Sequence, residues 1–245
     1  MKKISTAIMA AGKGTRMKSD LPKVLHKLND RSMVHYVIDL AEKINSDKIV
    51  LIVGHKKELL EDECSKRNVE FAVQSPQLGT GHAVQMTESA FNNYDGDVLV
   101  LSGDVPLLTE KSIRALITEH HKSDATATLL TADLDDPFGY GRVVRDKDGS
   151  VESIVEHKDA NEAQLKINEI NVGIYLFDSK KLFDALKAVK NDNSQGEYYL
   201  PDVVPMFIEE GLTVRAVKSE SFDETRGINT IDQLKEAETI LNTRS

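Results

Sequence analysis

The chain reads as an α/β domain in which a mixed, mostly parallel sheet is flanked by helices and carries a small added β lid. Three observations predict it. Short apolar runs alternate with amphipathic segments of helical period through the first half, the rhythm of βαβ units covered on both faces. Several of those runs end in loops rich in glycine, aspartate or glutamine, where open α/β sheets place their ligands. From Ala125 onward strand-like runs follow one another with few helices between them.

In order, an apolar strand from Ile4 runs into the small-residue loop MAAGKGTRMKSDLPK. Residues 32–44 repeat apolar side chains at Met33, Val34, Val37, Ile38, Ala41 and Ile44, one helical face with Ser32 as the expected cap. KIVLIVG (48–54) predicts a buried strand, 56–66 a helix, 70–74 a strand and 82–91 a helix. The run around Val98 to Leu101 predicts a strand that ends at Gly103 and Asp104, and Pro106 forbids further ladder pairing. A helix over 110–122 with Thr109 as cap comes next. ATATLLTA, GRVVRD, SVESIVEH and INEINVGIYLFD then predict strands expected to build a lid or substrate wall, with DKDG (146–149) as a hairpin turn. Helices at 179–189 and 203–210, a strand at 212–217 and a last helix at 230–241 complete the reading.

A chain of 245 residues that is 40% apolar and 29% charged has the composition of one globular domain. A net charge of −9 lacks the basic footprint of a general nucleic-acid binder. Within that acidic background Lys13, Arg16, Lys18, Lys23 and Lys27 cluster, with Asp20 the sole acid among them. Local sign therefore points to an anionic ligand. The lone Cys64 excludes an internal disulfide, and its setting in EDECSKRN suits an inert thiol. MKKISTAIMAAG mimics a secretory leader, but it runs directly into the glycine loop and reads as the first strand of a cytoplasmic protein. No apolar run approaches the length of a membrane span.

In the opening loop Ala10, Ala11, Gly12 and Gly14 carry little side chain, so backbone N–H groups can approach an anion while cations close over it. Two common phosphate loops do not fit: GxxxxGK[ST] does not occur, and GxGxxG fails because position 17 is Met17. Taken alone, the loop also reads as a turn with solvated lysines. Asp104 alone reads equally as a turn aspartate, Glu156 as a solvated strand residue and Asn171 as a turn former. His120 and His121, adjacent at a helix end, are expected on the surface. Ser102 has no GxSxG elbow, and Tyr140, Tyr198 and Tyr199 suit packing.

The strings MAAGKGTRMKSDLPKVLHKL, QLGTGHA, GDVPLL, GYGRVVR, IVEHKDA, EINVGIYLF, NSQGEYYLPD and GIN (227–229) occur in this order. Together they resemble the sugar nucleotidyltransferase family, and within it the N-terminal uridylyltransferase domain of bifunctional bacterial enzymes that make UDP-N-acetylglucosamine. The resemblance implies a Rossmann-like sheet of the nucleotide-diphospho-sugar transferase type. It implies transfer of UMP from UTP to N-acetylglucosamine 1-phosphate with release of pyrophosphate, a step in a cell-wall precursor route. It implies that Ala10, Ala11 and Gly12 lie along the nucleotide, that Arg16 meets the triphosphate, and that Lys23 stabilises charge at the phosphoryl groups exchanged. Gln74 resembles the residue that reads the uracil edge, and Gln77, Gly79 and Thr80 belong to the base and ribose wall. Asp104 and Asn229 are implied as ligands of magnesium, and Gly141, Glu156 and Asn171 as the hold on the sugar.

Ser102 departs from relatives that carry tyrosine before GD, which bears on sugar preference. The expected organisation is a nucleotidyltransferase domain over 1–229 and a C-terminal helix over 230–245. No segment shows the hexapeptide repeats of a left-handed β-helix, so neither an acetyltransferase nor the trimer it builds is expected, and a monomer or weak dimer is. Small-molecule substrates are the expected partners, with neither nucleic acid nor membrane. Two other readings stand beside this one: a nucleotidyltransferase for another sugar or alcohol phosphate, and a non-catalytic nucleotide-sugar sensor. The joint presence of Arg16, Lys23, Asp104 and Asn229 argues against the sensor.

Overall fold

A computed structural model describes residues 2–12 and 14–244; Lys13, one of the clustered cations, lies outside the described residues. The strands are β1 (Lys3–Met9), β2 (Lys27–Leu28), β3 (Arg31–Ser32), β4 (Ile49–Val53), β5 (Glu70–Val73), β6 (Gly96–Ser102), β7 (Ala127–Asp133), β8 (Gly141–Arg145), β9 (Val151–Val155), β10 (Glu169–Asp178) and β11 (Val214–Lys218). The helices are α1 (Met33–Lys43), α2 (Lys57–Glu63), α3 (Thr80–Gln85), α4 (Glu110–Lys122), α5 (Ser179–Leu186), α6 (Val203–Glu209), α7 (Phe222–Thr225) and α8 (Ile231–Arg244).

Along the main sheet the order is β11-β7-β10-β6-β1-β4-β5, and β8 and β9 branch from β10. Pairing along this path is parallel except where β10 runs antiparallel between β6 and β7. Side chains alternate across the sheet with the period of two that a strand imposes. Val98 and Val100 of β6 join one buried cluster with residues of α3, α5 and α6. Leu99 and Leu101 point the other way, into a cluster with α1 and α4. β4 is buried along its whole length, so its continuous apolar run is the signature of a strand covered on both faces. A third cluster, with Met17, Leu28, Met33 and Leu107, receives Leu234 and Ala237 and so seats α8 beside the opening loop.

The late strands differ from expectation. Only β8 and β9 form the added wall, joined by the expected hairpin, in which Gly149 N–H donates to Asp146 O at 3.1 Å. β7 and β10 belong to the main sheet instead. The ten-residue β10 is long enough to pair with β7 at both ends across a register shift between Asn171 and Tyr175, with β6 through its second half, and with β8 through Ile170 and Asn171.

Local expectations were also corrected. Ser32 precedes α1 but does not cap it; its hydroxyl donates to Glu63 Oε1 at 2.6 Å. The helix expected over 82–91 ends at Gln85 and continues as turns. Thr109 does cap α4, accepting from Ser112 N–H.

His120 is not a surface residue, and His121 is partly buried. His120 is 1% exposed, its Nδ1 lies 2.9 Å from Thr128 Oγ1, and His121 Nε2 lies 2.9 Å from Asp97 Oδ2. The end of α4 folds over the amino end of β6, which buries Asp97 completely. Burial opposes ionisation of Asp97, but the contacts from His120 and His121 outweigh it and hold the carboxyl below its usual range. Cys64 is fully buried despite its polar neighbours. Burial pushes its thiol up to about 11, which suits an inert role.

Candidate active site

β1, β4, β5 and β6 run parallel, so the loops after them emerge at one end of the sheet. Gly12, Gln74 and Asp104 lie there, lining one cavity of about 310 Å³ with Ala10, Ala11, Lys23, Gln77, Gly79 and Thr80. A second cavity of about 420 Å³ holds Arg16, Gly141, Glu156, Asn171 and Asn229. Met9, Thr80, Ser102 and Asp104 line both, so the two form one cleft. The residues that the resemblance assigned to nucleotide, metal and sugar all border this cleft; of the described cations clustered in the opening stretch, Arg16 and Lys23 line it and Lys18 and Lys27 do not.

Close backbone stitching assembles the first cavity. Gln77 donates its side-chain amide to Ala11 O, tying the loop after β5 to the opening loop. Gln74, buried at 5% exposure, donates to Gly79 O at 2.9 Å and lies 3.2 Å from His82 Nδ1. Burial lowers the His82 pKa, favouring the neutral ring that can accept from that amide. Gly81 N–H donates to Tyr198 O, Tyr198 N–H to Leu78 O, and Leu200 N–H to Thr80 Oγ1. The QLGTGHA and QGEYYL strings, more than a hundred residues apart, are thus one structural unit.

Sheet register assembles the second cavity. Asn171 on β10 stands opposite Gly141 on β8, and Arg142 stands opposite Val155, which brings Glu156 next to Gly141. A Cβ at Gly141 would lie 3.2 Å from Glu156 Oε1, so the glycine leaves room for the carboxylate. Glu156 is neither a freely solvated residue nor part of the strand. Burial raises its pKa, and Asp159, Asp202 and Glu197 add to the effect. Asp202 is pushed up to about 6, by burial and then by Asp159. Asn171 is buried on a strand, with Oδ1 accepting from Gly173 N–H at 3.3 Å.

The halves meet at a charged junction. Lys23 Nζ donates to Asp104 Oδ2 and, at 2.9 Å, to Asn229 Oδ1. Arg16 Nη2 donates to the same Asn229 oxygen at 2.9 Å. The orientation of Asn229 is built in: its amide nitrogen donates to Gly227 O and its backbone N–H to Gln233 Oε1. Gln233 and Thr230 exchange reciprocal bonds at the start of α8, the capping box that T-x-x-Q encodes. Ile228 N–H donates to Asp104 O and fastens this segment to the end of β6.

Asp104 and Asn229 thus turn two hard oxygens toward one cation, the Lys23 ammonium, a donor set that fits a divalent ion. Among the described residues no group of three or more His, Cys, Asp or Glu could hold a metal. An ion here would complete its shell from phosphate and water, as magnesium does.

Sequence reading missed Glu197 in the first cavity and Tyr175 and Gln233 in the second. The signal for Gln233 was the capping box, and for Glu197 its place in QGEYYL; Tyr175 lay within a predicted strand with no signal of its own.

Comparison with known proteins identifies the fold and the family. The chain is 52% identical over 238 residues to the bifunctional protein GlmU of an Exiguobacterium species, covering 97% of this chain and 52% of that protein. It is 49% identical over 237 residues to the protein of the same name from Bacillus cereus, covering 97% and 51%. The chain therefore spans about half the length of the curated relatives it matches. Its fold matches a UDP-glucose pyrophosphorylase complexed with UDP-glucose, with a TM-score of 0.78 at 17% identity and full coverage of both chains. It also matches a putative glucose-1-phosphate thymidylyltransferase from Bacillus anthracis, with a TM-score of 0.74 at 19% identity, covering 97% of this chain and 94% of that one. The family model described as nucleotidyl transferase matches residues 5–223, and with the cleft at the strand ends this establishes that the chain belongs to the nucleotidyl transferase family.

Proposed function

We propose that this chain transfers UMP from UTP to N-acetylglucosamine 1-phosphate, forming UDP-N-acetylglucosamine and pyrophosphate. The observation that carries the reading is the single cleft whose two cavities meet at Lys23, Arg16, Asp104 and Asn229. About 50% identity to bifunctional GlmU proteins over nearly the whole chain supports it, and so does a structural neighbour that holds a UDP-sugar.

In this reading the first cavity takes the nucleotide. Ala10, Ala11 and Gly12 line the phosphates, Gln74 reads the uracil edge, and Gln77, Gly79 and Thr80 wall the base and ribose. The second cavity takes the sugar, with Gly141, Glu156 and Asn171 around its hydroxyl and acetamido groups. An oxygen of the sugar phosphate attacks the α-phosphorus of UTP, the bond from that phosphorus to the bridging oxygen breaks, and pyrophosphate leaves with the electron pair. The acceptor is itself the nucleophile, so the protein's part is positioning and charge stabilisation. Lys23 and Arg16 stand where the two anionic substrates meet and stabilise the charge that shifts between them. Asp104 and Asn229 would hold magnesium, which supplies neutralisation of the phosphate oxygens when bound.

The test is a matrix of nucleoside triphosphates against sugar 1-phosphates, scored by pyrophosphate release with magnesium present. UTP with N-acetylglucosamine 1-phosphate is expected to give the highest rate. No release with any pair would refute a catalytic role, and preference for another acceptor would replace the substrate.

A further inference from the structure

We infer that the Lys23 ammonium is a built-in placeholder for the divalent cation, so that Lys23 and the ion compete for Asp104 and Asn229 and the ion enters only with the nucleotide. The inference rests on the metal and nucleotide assignments proposed above, and it concerns the order in which the site fills.

Lys23 Nζ is bonded at once to the Asp104 carboxylate and to Asn229 Oδ1, the two oxygens that would hold the ion. An ammonium and a dication cannot both sit on that pair. The Lys23 and Asp104 side chains are only 17% and 18% exposed, so solvent screens their attraction less than at an open surface. Arg16 adds a second positive charge on the Asn229 oxygen. At this junction one carboxylate faces two cations, and a dication arriving alone meets like charge and already engaged oxygens.

A triphosphate changes that balance. Its oxygens offer Lys23 and Arg16 better partners than one amide oxygen and one carboxylate, and they provide ligands of their own for the ion. Lys23 can then move from Asp104 to phosphate, which frees the two protein oxygens as the nucleotide binds. Asn229 is held in place by Gly227 and Gln233, so the moving part is the lysine rather than the acceptor pair. One side chain would thereby couple nucleotide binding to metal binding and place itself on the phosphates at the same time.

The experiment is a Mn²⁺ titration followed by electron paramagnetic resonance on the full chain, with and without UTP and without sugar phosphate. The proteins are the wild type, Lys23→Met, and Lys23→Met combined with Asp104→Ala. Methionine keeps the stem of the side chain as far as Cε and removes the ammonium, and Lys23→Gln replaces it where Lys23→Met does not fold by circular dichroism. Without UTP the Lys23→Met protein is expected to bind Mn²⁺ about tenfold or more tightly than wild type, the scale of removing a like charge at contact distance. With UTP present that advantage is expected to disappear, and the double variant is expected to lack it throughout. Equal Mn²⁺ affinity of wild type and Lys23→Met without UTP would overturn the inference. A gain that survives Asp104→Ala would overturn it too, because the ion would then sit elsewhere. A separate calorimetric titration with UTP reads the proposed function independently: a chain that binds no UTP refutes that function, whereas the Mn²⁺ comparison alone still decides the competition.

Discussion

Replacing Gly79 by alanine should damage fold and nucleotide site together, and the size of the effect can be worked from the structure. Gly79 has φ +113° and ψ 177°, a region that is essentially glycine-only and costs about 1–3 kcal/mol for another residue. A Cβ there would lie 2.5 Å from Tyr198 O and 2.8 Å from Tyr198 N. Both are backbone atoms, held by the Gly81 and Leu78 bonds that join the two strings, so relief requires moving the 197–200 segment. Forced overpacking of this kind adds about 1–3 kcal/mol, which brings the total to about 2–6 kcal/mol. With a urea slope of about 3 kcal/mol/M for a chain of this size, the midpoint should fall by about 0.7–2 M. The KM for UTP should rise, because Gly79 O anchors Gln74. Gly196→Ala is the control: it has φ +65° and nothing within 4 Å of the added Cβ, so it should lose only about 1 kcal/mol to left-handed strain. A Gly79→Ala protein with a wild-type midpoint and an unchanged KM for UTP would refute the reasoning.

Further expectations concern the charged groups. Lys23→Ala should lower turnover by on the order of a hundredfold or more, the scale of losing one preorganised electrostatic group; a near-normal rate would remove Lys23 from the mechanism. Asp104→Ala should weaken the response to magnesium along with the rate, and an unchanged metal titration would show that its carboxylate is not a ligand. The raised pKa of Asp202, about 6 against 3.8, means the folded state holds its proton more tightly than the unfolded chain. Its contribution to stability is therefore fully present below about pH 3.8 and is lost as pH rises through about 6. Asp202→Asn should gain on wild type by ~1–2 kcal/mol between pH 4 and pH 8 after allowance for partial exposure, as read from urea midpoints. A gap that does not change with pH would contradict the assignment.

Much of this protein was legible in its sequence for a physical reason. Val98 to Leu101 announces a strand buried on both faces, and Thr109 with the apolar spacing of 110–122 announces a capped helix, because backbone periodicity and capping act over a few residues. The opening loop was equally local: two alanines and a glycine directly after a strand end carry too little side chain to shield their own backbone. The capping box at Thr230 and Gln233 is just as local, spanning four residues, although the sequence reading passed over it.

What tertiary structure decided depended on which distant segments meet. Nothing local to His120 and His121 shows that the end of α4 lies over the buried Asp97, and nothing local to SVESIVEH shows that Glu156 faces a cleft among other acids. That β10 is inserted between β6 and β7 is a matter of long-range pairing, and it is this pairing that brings Asn171 opposite Gly141. The same holds for Asp104 and Asn229, joined across 125 positions by the Lys23 ammonium and by the bond from Ile228 to the end of β6. Sequence by itself determined a small-residue, cation-rich loop after the first strand and the strand and helix menu, since these follow from side-chain size, charge and period. Only the folded sheet decided that one carboxylate and one amide oxygen converge on a single cation, because convergence is set by strand order and register, and no local pattern encodes either.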